Sequence, residues 1–500
     1  MSENVVALSP LDNIMVPCWV KLLFYFSTPP EASVDETYQL LSKGFSLAIA
    51  EMPICGGTVH LRPQDRPGWK PNQLEVRIPK DAGKNGSPTL DFKDLTVAEG
   101  ASELSYDRLR AAGFPADKID TKLLMSKSFN LDLASGIEAT AAQANFVKGG
   151  CLLGLAMWHN VVDAYGVYTF ARRWASHCRR LQSEPGSESA SLSYIPDSTV
   201  ATNNDREVLE RLWREDGGSE ASTATDRRWS ILGIHPPSAV DAPRLNDVLA
   251  SLMGNPELLK HKTRTQIFTI SAEALENLSK VVADELPGQE PVTTDDALHA
   301  LLWRCIMRAR YPHAVSPGDE PSQSVYQIAV DGREILGGPQ QQLRSYLGDT
   351  FFFNTSSLPL SEVTDLPSSS SAPLGKLART LRETHNSLSR ADLLAAFSAA
   401  HNLSSYENLP YSLAGVSGPS MIVVSHKYIA LHDLDFGPAL GRPDCERPPG
   451  DEWNDLFRRT IILPTASGKG AEILVALHDD EMKRLEADGE FRSYAKLSTC

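Results

Sequence analysis

The nine residues WHNVVDAYG, from Trp158 to Gly166, hold the side chains best suited to catalysis. The imidazole of His159 has an unperturbed pKa of about 6.5, so at neutral pH it can take a proton from a hydroxyl or amine that attacks a carbonyl, and then return it. Asp163 follows four residues later and could either hold the imidazole by a hydrogen bond or form an ion pair elsewhere that fixes the loop. Gly166 permits a turn that most residues cannot make. The segment therefore predicts a general base, His159, beside a turn.

Two predicted elements flank this segment and would position it. Residues 146–158, FVKGGCLLGLAMW, are apolar on both faces, which is typical of a central strand buried on each side, although a buried helix gives the same pattern. After Gly166, apolar residues recur at steps of three and four as far as Leu181, which predicts an amphipathic helix. A histidine at the end of a buried strand is held rigidly and can point into a cleft. Because His-x-x-x-Asp alone arises often by chance, the catalytic hypothesis depends on this context.

Composition and charge exclude several classes of protein. The chain has 500 residues, of which 42% are hydrophobic and 22% charged, proportions near those of soluble globular proteins. Its net charge of −15 disfavours nucleic acid and anionic lipid as partners. The seven cysteines never form a C-x-x-C pair, which argues against a disulfide framework and a zinc site and favours a reduced compartment. The first apolar stretch, Val20 to Phe26, is too short for a membrane span. We therefore expect a cytoplasmic protein.

Strand-like and helix-like segments alternate along the whole chain, which predicts an α/β fold of two similar domains, each a mixed β-sheet with flanking helices. The predicted strands are 22–26, 265–270 and 472–477, and the predicted helices are 33–50, 272–282 with Ser271 as N-cap, 294–310 and 479–487. Residues 182–204 are rich in Ser, Pro, Gly and Asn without an apolar period, so they form either a surface loop or the start of a linker. We place the domains at 1–205 and 261–500, joined by a crossover linker at 206–260.

Five short segments, spread over nearly the whole chain, follow the order found in a known enzyme family. They are LSPLDNIM (8–15), HNVVDAYG (159–166), TTDDALHALLWRCIMRAR (293–310), VDGR (330–333) followed by YLGDTFFFNT (346–355), and LHDLDFG (431–437). Together they resemble the BAHD acyltransferases, a coenzyme A-dependent family to which the fungal trichothecene acetyltransferases are related. Each motif is weak alone, but five in the right order are a strong signal.

The resemblance implies a chloramphenicol acetyltransferase-like fold with an active-site channel at the domain interface. Acyl-coenzyme A would be a co-substrate rather than a permanently bound cofactor, and it would enter from the face opposite the acceptor. His159 would be the general base, and no acyl-enzyme would form. Asp163 would turn away from the substrate and pair with an arginine of the second domain, for which Arg333 is the candidate. By analogy with fungal relatives, the acceptor would be a terpenoid, alkaloid or polyketide, and we expect a monomer.

Further residues receive roles only through the resemblance. Ser425 is a candidate hydrogen-bond donor to the oxyanion, with an ordinary strand serine as the alternative. The segment Asp435, Phe436 and Gly437 would hold a loop near the coenzyme channel, since phenylalanine is apolar and glycine permits close backbone approach. Lys427 and Arg442 flank it and could meet coenzyme phosphates, or they could be solvated surface residues.

The sequence also departs from the family pattern at three places. Ala164 and Tyr165 stand between Asp163 and Gly166, where the family has an immediate glycine. The Asp-Phe-Gly box continues as PALG (438–441), without the family's tryptophan and second glycine, and His426 replaces a tryptophan after Ser425. We therefore expect an acyl pocket unlike that of the plant enzymes.

Two alternative hypotheses keep the same fold. A condensation-type enzyme that uses a carrier-protein thioester shares the fold and the histidine, but its signature has a second histidine where Trp158 stands. A non-catalytic binding protein would also keep the fold, and an acyl-transfer assay with His159→Ala separates it from an enzyme.

A metal site is the alternative from a different class. It could use His159 with Asp163, or the cluster His432, Asp433 and Asp435. Metal binding needs three or four ligands with supporting contacts, and no spacing for a third ligand is evident. We therefore expect no metal.

Overall fold

The computed structural model describes most of the chain. The described residues are 4–83, 88–97, 104–116, 119–126, 133, 135–183, 202–218, 227–239, 241–242, 244, 263–288, 290–313, 322–364, 373–412, 414–415, 418–449, 457–465 and 468–498. Within these ranges, no helix is long and apolar enough to cross a membrane. The loop or linker predicted at 182–204 lies mostly outside the described residues.

Strands and helices alternate, as the sequence predicted. The strands are β1 (Asn4–Ala7), β2 (Trp19–Ser27), β3 (Thr58–Leu61), β4 (Leu74–Ile78), β5 (Leu90–Asp94), β6 (Ile137–Glu138), β7 (Thr140–Val147), β8 (Gly150–Trp158), β9 (Thr263–Ile270), β10 (Gln323–Asp331), β11 (Phe351–Pro359), β12 (Ser420–Ser425), β13 (Cys445–Arg447), β14 (Thr460–Leu463), β15 (Ala471–His478) and β16 (Ala495–Leu497). The helices are α1 (Pro10–Ile14), α2 (Val34–Glu51), α3 (Tyr106–Ala111), α4 (Thr121–Leu124), α5 (Ala164–Leu181), α6 (Val208–Glu215), α7 (Arg227–Leu232), α8 (Ala272–Asp284), α9 (Thr294–Arg310), α10 (Arg333–Gly337), α11 (Leu360–Thr364), α12 (Leu374–Asn386), α13 (Arg390–His401), α14 (Asp479–Ala487) and α15 (Gly489–Tyr494).

The N-terminal part is built on a five-stranded mixed sheet, in the order β13-β2-β8-β7-β5. Every residue of β7 and β8 is buried, which explains why this stretch is apolar on both faces. The prediction of one strand over 146–158 is wrong, because the chain reverses at Lys148 and Gly149 and β7 pairs with β8 as an antiparallel hairpin. Gly149 has a φ of 82°, a backbone conformation that glycine adopts without strain. The hairpin places His159 at the end of β8, a strand that pairs with β2 on one side and with β7 on the other.

The C-terminal part is built on a seven-stranded sheet, in the order β11-β10-β12-β14-β15-β9-β16. The helix α9 packs against it and is buried along almost its whole length. One short strand, β13, leaves this half of the chain and pairs with β2, so that Arg447 lies opposite Leu23. The two sheets and their helices make an α/β protein with two sheet-rich domains, which confirms the predicted fold class. The domain limits 1–205 and 261–500 stay a proposal, and β13 shows that the second range also contributes to the first sheet.

A smaller four-stranded sheet, β1-β4-β3-β6, completes the N-terminal part. The helices α6, α7 and α13 enclose a separate apolar core, in which the ring of Trp213 lies 6.0 Å from that of Phe397. No disulfide bond joins any two of the six cysteines in the described part of the chain. Apolar packing, rather than disulfide bonds between these cysteines, holds the elements around the site.

Candidate active site

His159 follows directly after the last residue of β8. Its backbone N–H donates to the carbonyl of Cys18, 2.9 Å away, and the preceding Trp158 packs edge to face against Trp19 with ring centroids 5.2 Å apart. These contacts fix the backbone from which the imidazole projects. The side chain keeps 16% of its surface exposed, so the ring is held rigidly at the edge of the core and still reaches open space.

The carboxylate of Asp349 lies beneath the His159 ring. Nδ1 of His159 is 3.3 Å from Oδ1 of Asp349, an ion-pair distance, although the angle falls outside hydrogen-bond geometry. Burial is the largest single influence and lowers the pKa of His159, but the Asp349 carboxylate, together with the Asp163 charge, raises this pKa overall. Burial raises the pKa of Asp349 to about 7, although His159 acts in the opposite direction. The two groups therefore compete for one proton near neutral pH.

Asp12, in the first turn of α1, holds Asp349 from the other side. The backbone N–H of Asp349 donates to Oδ1 of Asp12 at 2.8 Å. Both carboxylate oxygens of Asp12 accept from the Arg206 guanidinium, at 3.1 and 3.0 Å, and the same guanidinium donates to the carbonyl of Val161 at 2.7 Å. Asp12 belongs to the LSPLDNIM segment, whose sequence predicts no role for it. Its role is to tie α1, the loop after His159 and the Asp349 segment together.

Asp163 points away from His159 and binds Arg333. Its Oδ2 lies 2.7 Å from one guanidinium nitrogen and its Oδ1 lies 3.0 Å from the other. Oδ1 also accepts from the N–H of Gly166 at 3.2 Å, so Asp163 is the N-cap of α5. Burial alone would lower the pKa of Arg333, but the Asp163 charge raises it. The pairing is the one implied by the resemblance, and the alternative in which Asp163 accepts from the imidazole is wrong.

Gly166 is required for close packing rather than for a turn. It lies in the first turn of α5 and does not have a positive φ. A Cβ atom at this position would lie 2.7 Å from Cβ of Val162 and 3.1 Å from the carbonyl oxygen of Leu347. The sequence identified the right residue, but the physical reason is the approach of two backbone segments.

We expect Gly166→Ala to lower the free energy of unfolding by about 1–3 kcal/mol, because the added methyl group overpacks this contact. Urea denaturation measures the change. Gly489→Ala is the matched control, since a Cβ atom there meets nothing within 4 Å. Equal stability of the two variants would contradict the packing argument.

Two adjoining cavities reach this site. The larger has a volume of about 620 Å³ and includes Asp163 and Arg333 in its wall. The smaller has a volume of about 170 Å³ and includes His159. Four residues belong to the walls of both: Ala164, Phe351, Val424 and His426. His159 thus faces a cavity that shares part of its wall with a second, larger one, and the channel between the domains stays a prediction.

Ser425, at the end of β12, lines the larger cavity and not the smaller one. Nearby in the same wall, Nδ1 of His299 contacts the hydroxyl of Tyr326, and burial lowers the pKa of His299 to about 4. His426, which replaces the expected tryptophan, also has its pKa lowered to about 4 by burial. These two histidines are therefore neutral at physiological pH. Ser425 lies between Val424 and His426, two residues that belong to both walls.

The Asp-Phe-Gly segment packs against the end of α5. Asp435 pairs with Arg179 at 3.0 Å, and the buried ring of Phe436 lies 5.1 Å from Phe26 and 5.9 Å from Trp174. Gly437 has a φ of 86°. These three residues line neither of the two cavities. They contribute to the packing around α5 instead.

The two basic side chains that flank the Asp-Phe-Gly segment form ion pairs with carboxylates. Lys427 pairs with Asp295, and Arg442 pairs with Asp433 at 3.1 Å. In the described ranges, no group of three or more His, Cys, Asp or Glu side chains could hold a metal ion. Of the second ligand set considered from the sequence, His432 and Asp433 lie 3.6 Å apart, while Asp435 pairs with Arg179.

The two-sheet fold agrees with the acyltransferase family that the sequence resembles. A family profile described as "Transferase family" matches residues 136–492, and a profile described as "Trichothecene 3-O-acetyltransferase-like N-terminal domain" matches residues 18–178. The chain belongs to the Transferase family, the BAHD acyltransferases, and it is an acyltransferase.

Relatives match the chain over nearly its full length. Eremophilane O-acetyltransferase ORF8 of Penicillium roqueforti (strain FM164) is 28% identical over 503 residues, and eremophilane O-acetyltransferase prx11 of Penicillium rubens is 28% identical over 500 residues; each match covers 97% of both chains. Among solved structures, TRI101 of F. graminearum, complexed with coenzyme A and deoxynivalenol, has a TM-score of 0.78 at 20% identity and covers 99% of both chains. This neighbour shows that the two chains share a fold.

Proposed function

We propose that the protein transfers an acyl group, acetyl by default, from coenzyme A thioester to a hydroxyl or amine of a small secondary metabolite. The O-acetyltransferase relatives and the coenzyme A complex of the TRI101 neighbour support this assignment. Acyl-coenzyme A is then a co-substrate, and the acceptor is a terpenoid, alkaloid or polyketide. The proposal includes a cytoplasmic monomer without a nucleic-acid partner, and light scattering tests its mass.

The observation that carries the proposal is the orientation of His159. Nδ1 is buried against Asp349, which leaves Nε2 as the nitrogen for a partner in the cavity. Nε2 takes the proton from the acceptor hydroxyl while the hydroxyl oxygen attacks the thioester carbonyl. The C–S bond then breaks as the tetrahedral intermediate collapses, and the proton passes from His159 to the leaving thiolate. No acyl-enzyme is needed.

The two cavities suit the two substrates differently. The smaller cavity, with a mainly apolar wall and His159 in it, fits the acceptor. The larger cavity, with a volume of about 620 Å³, has room for the pantetheine arm of coenzyme A beside the shared wall. Ser425 at that wall is the proposed donor to the oxyanion. The ion pair of Asp163 with Arg333 keeps the loop after His159 in place, and the Asp435 segment supports α5.

Product analysis tests the proposal directly. The purified protein is incubated with a panel of acyl-coenzyme A donors and a metabolite extract, and new esters or amides are identified by mass spectrometry. Wild type should form acylated product from a coenzyme A thioester, and His159→Ala should form far less. Transfer only from a carrier-protein thioester would instead favour a condensation-type enzyme, and no transfer from either donor would favour a binding protein.

Asp349→Asn should move the acid limb of the kcat/KM profile to lower pH. The Asp349 carboxylate raises the pKa of His159, so its removal keeps the imidazole neutral, and therefore basic, at lower pH. Asp163 acts on His159 in the same direction, and Asp12 and Asp163 both act on Asp349, so these charges stay unchanged in the variant. The plateau rate should fall at least about tenfold, because an amide does not stabilise the imidazolium.

The control for this variant is Asp433→Asn, an acid-to-amide change that lies outside both cavity walls. It should leave both the limb and the plateau unchanged. If Asp349→Asn also left the limb in place, Asp349 would have no electrostatic influence on the base.

A further inference from the structure

Lys21 is a buried lysine without a protein partner in the described part of the chain. It lies on β2 opposite Ala156 and keeps only 7% of its surface exposed. No hydrogen bond or ion pair joins its ammonium group to a described residue. Lys21 belongs to the wall of the smaller cavity, the one that also contains His159. Most of the Lys21 side chain is therefore withdrawn from bulk water, and its ammonium group lies where a ligand in the cavity can reach it.

The charge in this cavity wall differs from that of the rest of the molecule. Lys21 and Arg459 both belong to it, and none of its described residues is an aspartate or glutamate. The larger cavity has four aspartates in its wall, and the chain as a whole carries a net charge of −15. Most other residues of the smaller wall are apolar, among them Ile14, Trp19, Leu232, Phe353 and Phe457. A positive charge in an apolar cavity selects for an apolar molecule that bears an anion.

The positive charge of Lys21 favours the binding of an anion in the smaller cavity. Lys21 is largely buried in an apolar wall, and no described residue supplies a counter-charge for the hydration that its side chain loses there. A ligand carboxylate would supply the missing charge and a charge-assisted hydrogen bond. We propose that the smaller cavity binds an acceptor with an apolar skeleton and a carboxylate, and that Lys21 pairs with this carboxylate while His159 faces the reacting hydroxyl. This inference rests on the proposed function, in which the smaller cavity holds the acceptor.

A binding experiment tests the inference without turnover. The probes are hydroxylated terpenoid acids and hydroxy fatty acids, each compared with its own methyl ester, and the readout is the thermal unfolding temperature of the full chain. In wild type, the acids should raise this temperature more than the esters do. Lys21→Met should remove the difference, Lys21→Arg should keep it, and the control Lys43→Met, an exposed position on α2, should leave it unchanged.

Without ligand, Lys21→Met should unfold no earlier than wild type, because it replaces a partnerless charge by an apolar side chain of similar length. A clear loss of stability in this variant would mean that Lys21 is a structural residue and would overturn the proposal. Equal effects of acids and esters on wild type would overturn it as well.

Kinetics distinguish the source of the anion. With acetyl-coenzyme A as donor, Lys21→Met should raise the KM for a hydroxy acid about tenfold to hundredfold, with little change in kcat or in the KM for its ester. A higher KM for acetyl-coenzyme A instead would assign Lys21 to the donor phosphates and overturn the acceptor proposal. If wild type acylates no probe but still binds acids in preference to esters, the proposed function fails while the anion site stands.

Discussion

His159→Ala is expected to lower the rate of acyl transfer by about a hundredfold to ten-thousandfold, the usual contribution of a general base. The melting temperature should change little. The imidazole borders an existing cavity, so its loss enlarges open space instead of creating a closed void in the core. Asp349 would lose its partner, but burial already raises its pKa to about 7, so the carboxyl can take up a proton at small cost.

Turnover at saturating acetyl-coenzyme A and thermal unfolding, measured on the same preparations, check this expectation. His432→Ala is the matched control, because that histidine is outside both cavity walls and is one-third exposed. Unchanged turnover in His159→Ala would contradict the mechanism in which His159 is the general base. A stability loss as large as that of Asp163→Ala would show that His159 is mainly structural.

The local elements around His159 could be predicted because their signals are local. The apolar steps after Gly166 predicted a helix, and α5 packs that face against the sheet and α2. The hairpin between β7 and β8 was missed, since the run is apolar on both sides of the turn and only Lys148 and the two glycines interrupt it. Continuous burial hides a strand break that an alternating pattern would reveal.

Asp349 could not be assigned from the sequence, because its partner is brought to it only by the tertiary fold. Its carboxylate meets His159 where β8 ends, and its backbone is held by Asp12 near the N-terminus. One signal was available: an acid amid apolar neighbours in YLGDTFFF indicates a buried carboxyl that needs a partner. Lys21 gave the same kind of signal within an apolar strand. Arg333 could be named in advance only through the family resemblance.

Asp163→Ala is expected to lower the free energy of unfolding by about 3–5 kcal/mol and to reduce activity as well. Both members of the pair have side chains only 6% exposed, so the variant leaves the buried Arg333 guanidinium with the half-exposed Asp331, 2.9 Å away, as its remaining carboxylate partner. The N–H groups of Gly166 and Thr350 also lose an acceptor, and α5 loses its N-cap. Because the loop between His159 and α5 is fastened at this point, the imidazole should lose its position relative to the substrates.

Urea denaturation and turnover measure the two effects, and the double variant Asp163→Leu with Arg333→Met separates them. Removing both charges leaves no buried ion uncompensated, because Asp331, which also pairs with Arg333, is half exposed and stays hydrated. The double variant should therefore regain a large part of the stability lost in Asp163→Ala. Its activity should stay low if the ion pair fixes the loop that carries His159, because apolar side chains restore neither the cap nor the bidentate contact. Equal stability of the single and double variants would show that the buried Arg333 charge is not what destabilises Asp163→Ala. Full activity in the single or the double variant would mean that the loop holds His159 in place without the ion pair of Asp163 with Arg333.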